Sequence, residues 1–186
     1  CEIIRQWSTF HPEFAFLPRK FKIAVNSHTN EDRAATLLHD IGIKIVHNDA
    51  GELGFQVYVG GGLGRTPIVA SLVKEFLAEK DLLTYLDAVL RVYNLNGRRD
   101  NKYKARIKIL VKALGVEAFA KLVDDEWQHL KDGPGTLTSD ELERIKGHFT
   151  LANYDTLTND EATFTNQLAE NKAFSNWYNR NVSEHK

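Results

Sequence analysis

From residue 18 the chain alternates between apolar and polar positions. Phe21, Ile23 and Val25 are interleaved with Lys20, Lys22 and Ala24, and a period of two predicts a strand over 20–26 with both lysines on one face. Residues 1–17, with Ile3, Ile4 and Trp7 clustered, read as a short helix or turn and then a loop. Asn30 is placed to cap a helix over 31–40, because Ala34, Leu37, Leu38 and Ile41 recur at helical spacing and Gly42 follows as a stop. IKIV at 43–46 and LGFQVYVG at 53–60 read as strands around an NDAG turn. Pro67 suits the first turn of a helix over 68–78. Asp81 caps another, in which Leu82, Leu83, Leu86, Val89, Leu90 and Tyr93 form one broad apolar face. KARIKILVKALG and VEAFAKLVDDEWQHL supply two further helices, separated by Gly115. Past 131 the composition shifts. DGPGT is the clearest linker signal, and Ser139 and Asn159 are placed to cap two more helices that end near Trp177. The pattern describes a mixed strand-and-helix domain to about residue 131 and then a polar helical arm.

Composition changes this picture little. The chain has 186 residues, 42% apolar and 26% charged, as an ordinary soluble globular protein does. That length suffices for one sizeable core. It contains neither an apolar run of about 18 residues that would cross a membrane nor a secretory leader. The net charge of −1 points to no polyanionic partner, yet the charge is unevenly placed. Arg98, Arg99, Lys102, Lys104, Arg106 and Lys108 lie within eleven residues against the single acid Asp100. One cysteine, Cys1, rules out an intrachain disulfide and favours a cytoplasmic setting. A start at Cys1 followed by the apolar, aromatic EIIRQWSTFHPEFAFLP is expected of a piece of a longer chain, since a lipid-anchored start takes a flexible polar tether.

Several chemistries fail on spacing. VGGGLGRTP is no phosphate loop, because Arg65 and Val59 stand where Lys and the first Gly are required. The dinucleotide pattern would need a third glycine at Arg65. What remains is a tight bend, or a place where the backbone must approach another group closely. The seven histidines show no metal-ligand spacing. The serines have no nucleophile-elbow context. GRRDNKYKARIK allows three readings: a nucleic-acid patch over 98–108 with Tyr103 stacking on bases, a solvated helix start, or a pocket for a multiply charged small molecule bound by arginine forks. Lys20 and Lys22 allow two. Lysines guard edge strands against aggregation. On an interior strand, which the apolar neighbours favour, their mutual repulsion of about 1 kcal/mol or more calls for an anion between them.

Taken in order, CEIIRQWSTFHPEFAFLPRKFKIAV, DRAATLLHDIG, FQVYVGGGLGRTP and VYNLNGRRDNKYKARIKIL resemble the siroheme-dependent nitrite and sulfite reductases. The resemblance runs from residue 1 and thins between about 131 and 170. It implies an α+β fold, a mixed β-sheet flanked by helices over 18–131, preceded by a lead-in segment (1–17) and followed by a helical linker arm (132–186). It implies that Lys20 and Lys22 bind the oxygens of sulfite or nitrite and assist proton delivery, and that Arg106 contacts siroheme carboxylates. Arg99, Asn101 and Lys102 belong to the same stretch. The cofactors implied are siroheme and a 4Fe-4S cluster. The partners implied are the small anionic substrate, the remaining half of the same polypeptide, and a ferredoxin or flavoprotein electron donor, with no nucleic acid and no membrane. The family's four cluster cysteines and two further active-site arginines have no counterpart here. The expectation is therefore a fragment with no metal ligand of its own, weak or absent siroheme affinity and no turnover alone. The competing readings are a nucleic-acid-binding domain and a plain scaffold domain.

Overall fold

A computed structural model describes every residue except 29, 154–159 and 184–186. The chain divides into two compact units, Cys1–Phe149 and Thr150–Lys186.

The first unit is built on a four-stranded sheet in the order β1 (Ile23–Asn26), β2 (Ile41–His47), β3 (Leu53–Val59) and β4 (Ser71–Ala78). β1 runs parallel to β2, and the other two pairings are antiparallel. The β2–β3 hairpin closes where the sequence placed it. Asn48 Oδ1 accepts from the amides of Ala50 and Glu52, and Gly51 takes a positive φ of 78°. Five helices complete this unit: α1 (Glu2–Ser8), α2 (Leu82–Asn96), α3 (Ile107–Leu114), α4 (Val116–Leu130) and α5 (Ser139–Lys146). Alternation gives the sheet one apolar face, with Ile41 and Ile43 on β2 opposite Val59 and Val57 on β3. These side chains share one core with Tyr85, Leu86, Val89, Leu90 and Tyr93 of α2 and with Phe119, Val123 and Trp127 of α4. The architecture is the expected α+β fold.

Four expectations are corrected. The strand predicted over 20–26 begins only at Ile23 and lies at the edge of the sheet, not in its interior. Lys22 joins the ladder only through its carbonyl, which accepts from the Ile41 amide, and its own amide donates instead to the Asp40 carboxylate, at 3.0 Å. No helix forms over 31–40. Asn26 Nδ2 holds the carbonyls of His28 and Glu31, Asp32 holds the Thr36 amide and hydroxyl, and Ala35 is left-handed, so only a 3-10 turn at Thr36–Leu38 remains. The helix predicted over 68–78 is strand β4. Ile68 exchanges two backbone hydrogen bonds with Gly62, and the following residues pair along β3, a partner that local periodicity does not reveal. Asp81 stands at the start of α2 without a side-chain capping bond.

The first unit also runs past the DGPGT stretch. The Leu137 amide donates to the Lys80 carbonyl, and Leu137 and Ile145 are buried. Thr138, not Ser139, caps α5 by accepting from the Glu141 amide. In the second unit α6 (Glu161–Glu170) and α7 (Lys172–Asn181) meet at Asn171, and the ring of Phe164 stands edge-on to those of Phe174 and Tyr178. The cap expected at Asn159 lies outside the described residues; Asp160 accepts from the Thr163 amide.

Candidate functional site

Asp40 ends the 3-10 crossover, immediately before β2, and its carboxylate is 2% exposed. Its Oδ2 accepts from the Lys22 amide at 3.0 Å. Its Oδ1 accepts from Arg106 twice, from Nε at 3.0 Å and from a terminal nitrogen at 2.6 Å. Its carbonyl accepts from the Gly60 amide at the end of β3, at 2.9 Å. One buried carboxylate thus joins the lysine segment, the glycine loop and the residue that starts α3.

Tyr93, on the buried face of α2, makes a second tie. Its hydroxyl donates to the Ala105 carbonyl at 2.8 Å, with the Arg19 carbonyl 3.4 Å away. Burial, with the Asp40 charge added, pushes its phenol up to about 12. The glycine loop closes the third side. A Cβ at Gly62 would lie 2.7 Å from a terminal nitrogen of Arg106, so the absent side chain is what admits the guanidinium. Further along α3, Lys108 is only 6% exposed, and its ammonium donates to the carbonyls of Leu63 and Thr66. Burial, followed by repulsion from Arg106, lowers its pKa.

The structure therefore brings together two of the expected site residues, Lys22 and Arg106, through a carboxylate that local sequence patterns did not single out. Lys20 and Lys22 are exposed, and neither makes an ion pair among the described residues. Lys20 and Arg19 stand at an open groove of about 600 Å³ whose walls include Ile4, Phe14, Leu17 and Phe21. The other expected residues are held elsewhere. Arg99 donates to the carbonyls of Phe16 and Asn94. Asn101 accepts from the Tyr103 amide within a local turn, and the Lys102 ammonium lies 5.3 Å over the Tyr103 ring. Arg98 is paired with Asp100. The basic stretch is thus no continuous cationic surface, because Arg98 and Arg106 are spent on carboxylates and Lys108 on carbonyls.

Sequence comparison gives these residues a family. The family described as nitrite and sulphite reductase 4Fe-4S domain matches residues 1–131. A Mycolicibacterium paratuberculosis protein named sulfite reductase (ferredoxin) 1 is 33% identical over 135 residues, covering 72% of this chain and 24% of its own length. The sulfite reductase (NADPH) hemoprotein beta-component of Acidithiobacillus ferrooxidans is 36% identical over 114 residues, covering 58% and 20%. The solved structure of the Mycobacterium tuberculosis NirA protein superposes with a TM-score of 0.60 at 32% identity, over 72% of this chain and 24% of that one. The chain spans about a fifth to a quarter of the length of these relatives. With more than half of its residues matched, and with a similar fold in NirA, the chain belongs to the nitrite and sulphite reductase 4Fe-4S domain family.

Proposed function

We propose that this chain contributes the substrate-anion and siroheme contacts of an assimilatory-type nitrite or sulfite reductase, acting in the cytoplasm with electrons from a ferredoxin or flavoprotein partner. The observation that carries this reading is a pair of exposed lysines that make no ion pair among the described residues, one of them tied through its amide and Asp40 to an arginine whose outer edge has no partner among those residues. Of the five donors of Arg106, Asp40 takes two, and the remaining three face away from that bond.

The residues suit siroheme, which carries several carboxylates on a flat apolar macrocycle. Arg106 offers its outer fork to a carboxylate, and the groove beside Arg19 and Lys20 has apolar walls and a cationic rim. Asn101 and Lys102, in the turn that leads into α3, would add donors, while Arg99 is already held by the carbonyls of Phe16 and Asn94. The residues do not suit a 4Fe-4S cluster. Such a cluster is held by four thiolates; the chain has one cysteine, and no cluster of three or more metal-ligating side chains occurs among the described residues. We propose that the cluster ligands come from elsewhere in the reductase polypeptide and that the chain by itself does not turn over sulfite or nitrite.

Siroheme, when bound, supplies the iron at which the six electrons are delivered. Lys20 and Lys22 do the anion's work. Their ammonium groups share the charge of sulfite or nitrite, which turns their mutual repulsion into attraction, and their N–H groups donate toward oxygens that leave as water. The test uses the reductase polypeptide that contains this sequence. Lys20→Ala and Lys22→Ala should each lower turnover by about a hundredfold or more while the siroheme absorbance band stays. Wild-type turnover in both variants would remove the reading, and loss of the band would reassign the lysines to the cofactor.

A further inference from the structure

Lys22 and Arg106 make no hydrogen bond to each other, and Asp40 bonds to both. The two oxygens of its carboxylate are divided between them, Oδ2 to the Lys22 amide and Oδ1 to the two guanidinium donors. A carboxylate is a rigid plane. Once the guanidinium fixes the direction of Oδ1, the direction of Oδ2 is fixed too, and with it the place of the Lys22 amide. Lys22 is bound a second time, since its carbonyl accepts from the Ile41 amide at 3.1 Å. Charge follows the same line. A buried carboxylate bonded to the Lys22 backbone would oppose an incoming anion, and the guanidinium of Arg106 offsets that charge.

We infer that Asp40 is a positioning residue that couples Arg106 to the Lys20–Lys22 segment, so that whatever the outer edge of Arg106 holds is felt at the two lysines. A ligand carboxylate on that edge would bias the guanidinium, the guanidinium the carboxylate of Asp40, and Asp40 the backbone that carries the ammonium groups. The inference rests on the proposed function only in treating those ammonium groups as anion-facing. The coupling belongs to the protein without any ligand.

The test uses the ¹⁵N-labelled chain. In ligand-free protein, Arg106→Gln should speed hydrogen exchange of the Lys22 amide by about tenfold or more relative to amides within β3, although residue 106 does not bond to that amide. Asp40→Asn should have a similar effect, and the double variant should add little to either single change, as expected of one shared connection. Arg106→Lys keeps the charge without the fork, should show a smaller effect, and provides the comparison if Arg106→Gln does not fold. Unchanged Lys22 exchange in the Arg106 variants, or a double variant in which the effects simply add, overturns the coupling. Sulfite titrated against the Lys20 and Lys22 side-chain signals provides the separate readout. Coupled exchange without a sulfite response supports the coupling and counts against the functional reading. A sulfite response without coupled exchange overturns the coupling and leaves that reading in place.

Discussion

Gly62 has no side chain, and the guanidinium of Arg106 occupies the space that one would fill. Gly62→Ala should therefore push the arginine off Asp40, with a stability loss of about 1–3 kcal/mol in urea unfolding and loss of the protected Arg106 Nε–H signal. Tyr93 makes a prediction in pH. Its phenol rises from the ordinary 10.0 to about 12, so the folded state holds that proton more tightly than the unfolded chain does. The corresponding stability, about 3 kcal/mol, is complete below pH 10 and is lost as pH climbs through 12. Tyr85, which burial also raises, adds to the same alkaline loss. Tyr93→Phe should flatten the fall in unfolding free energy above pH 10, at a pH-independent cost of about 1 kcal/mol for the lost bond to Ala105. Chemical unfolding at pH 8, 10 and 11.5 would check both parts, and an unchanged alkaline slope would count against this account.

Among the elements, the long amphipathic ones were legible. In α2 and α4 the apolar stripe recurs over four turns, and nothing local competes with it. Phe119, fully buried on α4, should cost about 3–5 kcal/mol when replaced by Ala, read as a lower urea midpoint at constant slope. The crossover between β1 and β2 was not legible. Ala34, Leu37 and Leu38 imitate a helix, but the polar groups of Asn26, Asp32 and Thr36 bond locally, and the chain must travel from one parallel strand to the next. Asn26→Ala leaves the carbonyls of His28 and Glu31 without their donor and should destabilise by about 1–3 kcal/mol, with faster exchange confined to 27–40 at low denaturant. β4 was misread for a different reason: Pro67 suits a first helical turn, and pairing with β3 outweighs that local signal. The site shows the same division. Lys20, Lys22 and Arg106 were singled out by the resemblance, and the structure joins Lys22 to Arg106 through Asp40. Asp40 and Tyr93 were hidden, one as the end of an expected helix and the other as part of an apolar face, because their partners lie far along the chain.

At the scale of the whole molecule, the core belongs to the unit Cys1–Phe149, and the DGPGT stretch that reads as a linker is a turn within it. The partners that meet at Asp40 are separated by 18 and 66 positions. In the β2–β3 hairpin, by contrast, His47 faces Leu53 across a short turn. Closing the longer of the two loops costs about 1 kcal/mol more than closing the shorter, and the Arg106 contact, which lies beyond α2 along the chain, needs that helix docked. The junction around Asp40 is thus among the last things to assemble when the chain folds. In pulsed hydrogen-exchange refolding the Lys22 amide should gain protection after those of β2 and β3, and simultaneous protection would refute this order. A chain halted partway, with its hairpin and helices already made, would have native secondary structure while its lysine segment hung loose from the arginine.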